Sequence, residues 1–129
     1  MKMPADVAEG LERIGGEEGL KKMIPNPLFM TMASSLFKAL SDPVRVEILY
    51  LTSIHPLVVT TIRNITGVGD SKLSYHLSIM NRAGLISRRT ESNWIIYSIS
   101  HKGRRFLELL RSEEMQKSLL EWRMEYSSK

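Results

Sequence analysis

The chain has 129 residues, of which 43% are hydrophobic and 25% charged, a composition typical of one folded globular domain. It contains no cysteine, which excludes a disulfide scaffold, a thiolate zinc site and a cysteine nucleophile. The net charge is +4, and no run is apolar enough for a signal peptide or a membrane span, so we expect a cytoplasmic protein with no membrane partner.

The positive charge is concentrated in residues 60–105, which carry eight basic and two acidic side chains. Such a clustered excess is typical of a surface that binds a polyanion. A solvated basic face without a partner is the alternative reading of the same pattern.

The first helical pattern covers residues 5–14, where apolar side chains share one face until the pair Gly15-Gly16. We therefore predict a short amphipathic helix or an unstructured tail within residues 1–25. The next helix is predicted to begin after Asn26, a favourable cap, with Pro27 in its first turn. It is apolar on two faces, and a second copy of the chain could cover one of them.

Asp42 and Pro43 predict the start of a further helix, and the residues after Pro56 predict a short strand and then a short helix. A glycine-containing turn leads into a helix over about 70–83, whose inner face carries Leu73, Leu77 and Met80. Its outer face is rich in hydroxyl groups, which is unusual for a helix that only meets solvent.

Residues 85–99 form two β-rich runs on either side of the polar tip Glu91-Ser92-Asn93, which predicts a hairpin. A final helix is predicted from about 101 to 126, and Arg111-Ser112 interrupts its apolar stripe, so a kink or a break there is left open. A short helix, a turn, a second helix and a hairpin together predict a winged helix-turn-helix, mainly α with a small β-hairpin wing.

The order of elements, together with the apolar faces of the first and last helices, predicts three segments. These are residues 1–25 as the tail, 26–100 as the DNA-binding domain with the first dimer helix, and 101–129 as a C-terminal dimerisation helix. In a helix-turn-helix the second helix enters the major groove, which assigns helix 70–83 to base reading and wing 85–99 to the backbone or minor groove. The predicted DNA contacts are Thr61, Arg63, Ser71, Lys72, Ser74, Tyr75, His76, Ser78, Arg82, Arg88, Arg89 and Asn93. His76 lies on the shoulder of the helix, so partial burial is the alternative for this residue. The predicted dimer contacts are Leu28, Phe29, Met32, Met115, Leu119 and Trp122.

Three stretches resemble the ArsR/SmtB-type (arsenic-repressor-like) regulators: "LFKALSDPVRVEIL", "LSYHLSIMNRAGLI" and "RRTESNWIIYSI". The resemblance covers about residues 28–100 and implies a DNA-binding homodimer, usually a repressor, paired through its first and last helices. The segment "ISHKGRRFLELL" also resembles the helix after the wing in MarR-like proteins, which leaves the subfamily open.

The chain departs from the metal-sensing members of that family. Their Cys-x-Cys pair corresponds to Val58 and Thr60, and a valine cannot replace a thiolate ligand. On the last helix, His101 and Glu113 or Glu114 lack the second histidine of the family's other site. We therefore expect no metal site and no cofactor, and the small-molecule effector is unknown.

The sequence thus predicts a transcriptional regulator that binds a pseudo-palindromic DNA site as a homodimer. The alternative is a winged-helix module that binds protein or RNA without specific DNA reading. An enzyme is not expected, because no catalytic cluster or glycine-rich phosphate loop stands out.

Overall fold

The computed structural model describes residues 2–126, with only the backbone described at 126. Residue 1 of the predicted tail and residues 127–129 of the predicted dimerisation segment lie outside this range. The helices and strands follow in chain order: α1 (Ala5–Arg13), α2 (Gly16–Met23), α3 (Pro27–Ala39), α4 (Pro43–Ile54), β1 (Leu57–Val58), α5 (Val59–Thr66), α6 (Asp70–Arg82), β2 (Ile86–Glu91), β3 (Trp94–Ile99), α7 (His101–Arg111) and α8 (Glu113–Tyr126). The predicted winged-helix fold, mainly α with a small β-hairpin, is confirmed.

The chain divides between Ser35 and Leu36 into two compact units. In the first unit, α2 is a helix that the sequence did not predict, because the helix that ends before Gly15 restarts at Gly16. Both glycines have positive φ, +94° and +68°, which lets the chain reverse between α1 and α2. A Cβ at Gly19 would lie 1.9 Å from the carbonyl oxygen of Ile14, so the close approach of α2 to the end of α1 requires glycine there.

The caps predicted for α3 and α4 are confirmed. The Asn26 side chain accepts a hydrogen bond from the backbone N–H of Phe29 at 2.9 Å. The Asp42 side chain accepts from the N–H of Val44 at 2.8 Å, with Pro43 in the first position of α4. Each cap satisfies an N–H group that has no partner within its helix.

The core of the second unit lies between the helices and one face of the sheet. It contains Ile48 and Leu49 of α4, Ile62 of α5, the predicted inner residues of α6 (Leu73, Leu77 and Met80), Leu85 and Ile86 at the start of the hairpin, Tyr97 of β3 and Leu107 of α7. Full burial of a large aliphatic side chain stabilises a fold by about 1.5–3 kcal/mol. This core therefore fixes α6 against α4 and the wing.

The sheet is antiparallel, with the strand order β1-β3-β2. The predicted hairpin is β2–β3, which pairs from Ile86 opposite Ile99 to Glu91 opposite Trp94. The short strand predicted after Pro56 is β1, and it pairs with β3 through Leu57 opposite Tyr97. The wing is therefore hydrogen-bonded directly to the segment that enters the helix-turn-helix.

The predicted last helix is broken at Ser112, which has an extended backbone with ψ of 141°. Its hydroxyl donates to the carbonyl of Leu109 at 2.8 Å and accepts from the N–H of Met115 at 3.1 Å. One side chain thus ends α7 and caps α8. Within residues 2–126, no helix is long and apolar enough to cross a membrane.

Candidate nucleic-acid interface

Helices α5 and α6 form the helix-turn-helix. Gly67 ends α5 with a φ of +71°, and its N–H donates to the carbonyl of Arg63 at 2.8 Å. Gly69 precedes α6 as its N-cap, and Gly84 follows it with a φ of +77°. Two glycines with left-handed backbone, Gly67 and Gly84, thus lie before and after α6.

The outer face of α6 has the composition predicted from the sequence. All of its predicted polar contact residues other than His76 are exposed: Ser71, Lys72, Ser74, Tyr75, Ser78 and Arg82. Tyr75 is the large aromatic on this face, with 57% of its surface exposed. A tyrosine and small hydroxyl side chains allow close approach to a surface that offers hydrogen-bond acceptors.

The serines of α6 differ from those of other helices in their hydrogen bonding. Ser35 and Ser53 donate to backbone carbonyls about one turn earlier in their own helices. Within residues 2–126, the hydroxyls of Ser71, Ser74 and Ser78 make no such bond. They are therefore available to a partner outside the chain.

His76 does not belong to this outer face, because the alternative of burial is what the structure shows in place of a DNA contact. Its side chain is 2% exposed and lies on the inner face of α6. Arg45 of α4 donates from Nη1 to His76 Nδ1 at 2.9 Å, so the neutral ring carries its proton on Nε2. That Nε2 is buried without a hydrogen-bond partner among the described residues.

The surroundings of His76 favour its neutral form. Burial has the largest effect and lowers the pKa of His76 below its usual value. The carboxylate of Asp42 raises this pKa, whereas the charges of Arg45 and Lys72 lower it. Arg45, which the sequence did not single out, also donates from Nε to the carbonyl of Ala39 at 2.8 Å.

Arg63 lies within α5 and pairs across the turn with Asp70, the first residue of α6, at 2.5 Å. The pair is accessible, with 40% of the arginine side chain and 74% of the aspartate side chain exposed. The acid that opens α6 therefore lies beside a cation, and the arginine keeps further N–H groups for a second acceptor. Thr61, on the same helix, is half-buried.

The two wing arginines lie on opposite faces of β2, as strand geometry predicts. Arg88 is opposite Tyr97 in the ladder and lines a notch beside α6. Arg89 is opposite Ile96 on the other face and pairs with Glu91 at 3.6 Å. Only Arg88 therefore shares a surface with the outer side of α6.

The tip of the wing is a two-residue turn at Ser92 and Asn93. Ser92 has a φ of +53°, and the predicted contact residue Asn93 is exposed. Trp94 belongs to the last pair before the turn and is 59% exposed.

One of the basic residues in segment 60–105 has a structural role at the end of α6. Lys102 donates from Nζ to the carbonyl of Ala83 at 2.9 Å. A cation there complements the negative end of the helix dipole. Part of the charge excess thus holds α6 in place, which its sequence position could not indicate.

The predicted dimer contacts are exposed in their respective units. In the first unit, Leu28 is 70% exposed, Phe29 58% and Met32 57%. On α8 of the second unit, Met115 is 38% exposed, Leu119 54% and Trp122 62%. Exposed apolar side chains in such groups are typical of interaction surfaces.

Comparison with known proteins agrees with this geometry. The family model described as "Bacterial regulatory protein, arsR family" matches residues 42–88. The uncharacterized HTH-type transcriptional regulator Rv0081 of Mycobacterium tuberculosis is 34% identical over 83 residues, which cover 60% of this chain and 68% of that one. Its crystal structure superposes with a TM-score of 0.65 at 29% identity, covering 78% of this chain and 99% of that chain.

The chain belongs to the arsR family.

Two further proteins to which this chain is similar are named for resistance to arsenicals or cadmium. The arsenical resistance operon repressor of Bacillus subtilis is 42% identical over 65 residues, covering 50% of this chain and 62% of the repressor. The homolog of the cadmium resistance regulatory protein CadC in Staphylococcus aureus is 34% identical over 67 residues, covering 51% and 55%. The chain thus matches less than two thirds of the length of each.

The positions that carry thiolates in metal-sensing arsR-family members lie at the junction of β1 and α5, where Val58 is half-buried and Thr60 exposed. His101 begins α7, whereas Glu113 and Glu114 begin α8 beyond the break. Among residues 2–126, no three histidine, aspartate or glutamate side chains are grouped so that they could hold a metal ion.

Proposed function

We propose that the chain is a sequence-specific DNA-binding transcriptional regulator, with α6 in the major groove and the wing on the backbone or minor groove. The outer face of α6 carries this proposal. Its serines and Tyr75 are exposed, and the three serine hydroxyls make no bonds within the described chain. A surface helix without a partner has no need of such a face.

The residues of this surface divide into two roles. Lys72, Arg88 and Arg63 supply positive charge for phosphate oxygens and so set affinity for any sequence. Ser71 and Tyr75 lie toward the groove floor and set the choice of sequence, through hydrogen bonds and contact with a thymine methyl group. The other predicted contacts on exposed positions are Ser74, Ser78, Arg82, Arg89 and Asn93, whereas Thr61 of α5 is half-buried.

The test compares wild type with Lys72→Ala and Tyr75→Ala on two DNAs, a duplex selected from a random pool and a scrambled duplex. Lys72→Ala should weaken binding to both and lower the salt slope by about one per subunit. Tyr75→Ala should cost about 1–3 kcal/mol on the selected duplex only. Lys117→Ala removes the same charge from α8 and serves as the matched control. If Tyr75→Ala behaves as wild type on both DNAs, α6 is not the reading helix.

We further propose that the regulator acts as a homodimer and as a repressor in the cytoplasm. Two exposed apolar surfaces, on α3 and on α8, support self-association, and each would be covered by a second copy. A symmetric dimer reads two half-sites that lie one DNA turn, or a multiple of it, apart. The names of the relatives, which are regulators rather than enzymes, support a role without catalysis.

We also propose that DNA release does not depend on a thiophilic metal. The support is chemical, because Val58 and Thr60 offer no thiolate where metal-sensing members carry two. Addition of zinc, arsenite or cadmium at stoichiometric amounts should leave the complex with DNA intact. Metal-dependent release would contradict this proposal and leave the DNA-binding function standing.

The alternative function is a winged-helix module that binds a protein or RNA. The small hydroxyl-rich face of α6 would also suit a flat macromolecular partner. This reading is favoured if wild type binds duplex DNA no better at low salt than at high salt, since phosphate recognition depends strongly on salt.

A further inference from the structure

A notch lies between the outer side of α6 and the wing. It is lined by Ser74, Leu77, Ser78, Asn81, Arg88 and Tyr97. Three of the polar side chains project from α6, whereas Arg88 and Tyr97 face each other across the β2–β3 ladder. The two elements that the proposed function assigns to DNA thus meet in one concave site.

Every polar side chain in the notch can donate a hydrogen bond. Within residues 2–126, none of these five side chains is hydrogen-bonded to another residue. Tyr97 is only 8% exposed, so its hydroxyl is held in a fixed position at the wall of the notch. The lining includes one cation, Arg88, and no carboxylate.

We propose that this notch binds a single phosphodiester of the DNA backbone and so locks α6 and the wing onto the same strand. A phosphodiester carries one negative charge and two free oxygens, which match one guanidinium and several neutral donors. A doubly charged phosphate monoester would leave one charge without a cation. This inference rests on the proposed function and adds Asn81 and Tyr97 to the residues that hold DNA.

The assignment also explains why the notch needs both elements. The core already holds α6 against the wing, so both elements meet the DNA backbone as one body. A phosphate that accepts from Asn81 and from Arg88 at once fixes the register of helix and wing together. Asn81 and Tyr97 therefore act as positioning groups for every sequence, unlike Tyr75.

The experiment uses the full chain and a duplex selected by wild type from a random pool. Neutral methylphosphonate linkages replace the phosphates one at a time, and binding is measured at constant ionic strength. Wild type should lose about tenfold in affinity at one particular linkage in each half-site, as a charge-assisted hydrogen bond predicts. Asn81→Leu and Tyr97→Phe should bind the native duplex more weakly and lose their sensitivity at that same linkage. Asn64→Leu makes the same change at an exposed position of α5 and should keep the wild-type profile.

The outcomes separate the two proposals. If Asn81→Leu and Tyr97→Phe keep the wild-type linkage profile, the notch does not bind phosphate, and the DNA-binding function stands. If wild type recovers no duplex from the pool, the proposed function fails and the notch assignment with it. Inorganic phosphate and a mononucleotide are added as competitors at equal ionic strength. Release of DNA by either would show that the notch takes a free phosphate, which would overturn the assignment to the DNA backbone.

Discussion

Arg45 and His76 lie 31 positions apart in the chain, yet their side chains meet at 2.9 Å in the core and join α4 to α6. Arg45 is in the stretch "SDPVR" and His76 in "SYHL", two of the stretches by which the sequence resembles its family. Their hydrogen bond gives a physical reason for their joint presence. It anchors the inner side of the proposed reading helix to the helix behind it.

The burial of His76 beside Arg45 predicts that stability falls in mild acid. The folded chain holds the pKa of His76 below the value of about 6.5 for an unfolded histidine, so below that pH the unfolded state binds more protons. The free energy of unfolding should be constant above this pH as far as His76 is concerned. It should decrease as the pH falls from about 6.5 toward the folded pKa.

Urea unfolding between pH 5 and 8 measures this effect. His76→Asn should show a smaller loss of stability across the acid range than wild type, whatever its stability at pH 8. His55→Asn replaces an exposed histidine outside the core and is the matched control. An unchanged pH profile in His76→Asn would mean that His76 does not titrate differently in the two states.

Gly103→Ala should destabilise the second unit by about 2 kcal/mol or more, in the range of overpacking in a core. A Cβ at position 103 would lie 2.0 Å from the carbonyl oxygen of Leu85 and 2.9 Å from Ile99. The backbone carbonyl of Leu85 cannot give way to this Cβ unless α7 moves away from the start of the wing. Thermal unfolding would measure the change.

The matched control for Gly103 is Gly10→Ala in α1. A Cβ there meets only the end of the Arg13 side chain at 3.8 Å, and alanine favours a helix interior. This variant should unfold no earlier than wild type. Equal losses in both variants would show that the contact with Leu85 is not what requires glycine.

Asp70→Asn should strengthen binding to all DNA sequences. The change removes an anion from the start of α6 and releases Arg63, which pairs with it at 2.5 Å, for a phosphate. The salt slope should steepen by about one per subunit, and stability should change by less than about 1 kcal/mol because the pair is exposed. Fluorescence anisotropy at several salt concentrations measures the affinity and the salt slope, and urea unfolding measures the stability.

Glu108→Gln neutralises an exposed acid on α7 and is the control for general charge effects. The double variant Arg63→Ala/Asp70→Asn should lose the gain, since the released arginine is absent. Weaker binding by Asp70→Asn alone would instead mean that the aspartate holds Arg63 in its binding position.

Phe29→Glu and Leu119→Glu should each shift the chain toward monomer in sedimentation experiments. Both substitutions place a charge on an exposed apolar surface that the proposed dimer would bury. Ile54→Glu, at a position that is 75% exposed on α4, should leave the association state unchanged. A wild-type protein that sediments as a monomer at micromolar concentration would contradict the dimer itself.

Local patterns predicted most of the elements. The caps Asn26 and Asp42, the apolar spacing of α6 and the polar tip of the hairpin all act over a few residues, and each of these predictions is confirmed. The break at Arg111-Ser112 was left open because an interrupted stripe permits a kink or a break. The hydroxyl of Ser112, which caps α8, favours the break.

Features that depend on distant residues could not be predicted in the same way. His76 lies three positions after Leu73 and four before Met80, so its spacing already placed it on the buried face. Its partner Arg45 became evident only when α4 and α6 were packed together. The pairing of β1 with β3 and the notch beside Arg88 likewise arise from contacts between separate elements.

The pairing of β1 with β3 has a consequence for how this chain would measure DNA. Because β3 is the central strand, the wing hairpin β2–β3 is also hydrogen-bonded to β1, which leads directly into α5. Helix α6 and the wing then form one rigid unit and do not move independently. A rigid unit of this kind is sensitive to the width and stiffness of the groove that it spans. Bases that no side chain touches would therefore also influence which sites are bound.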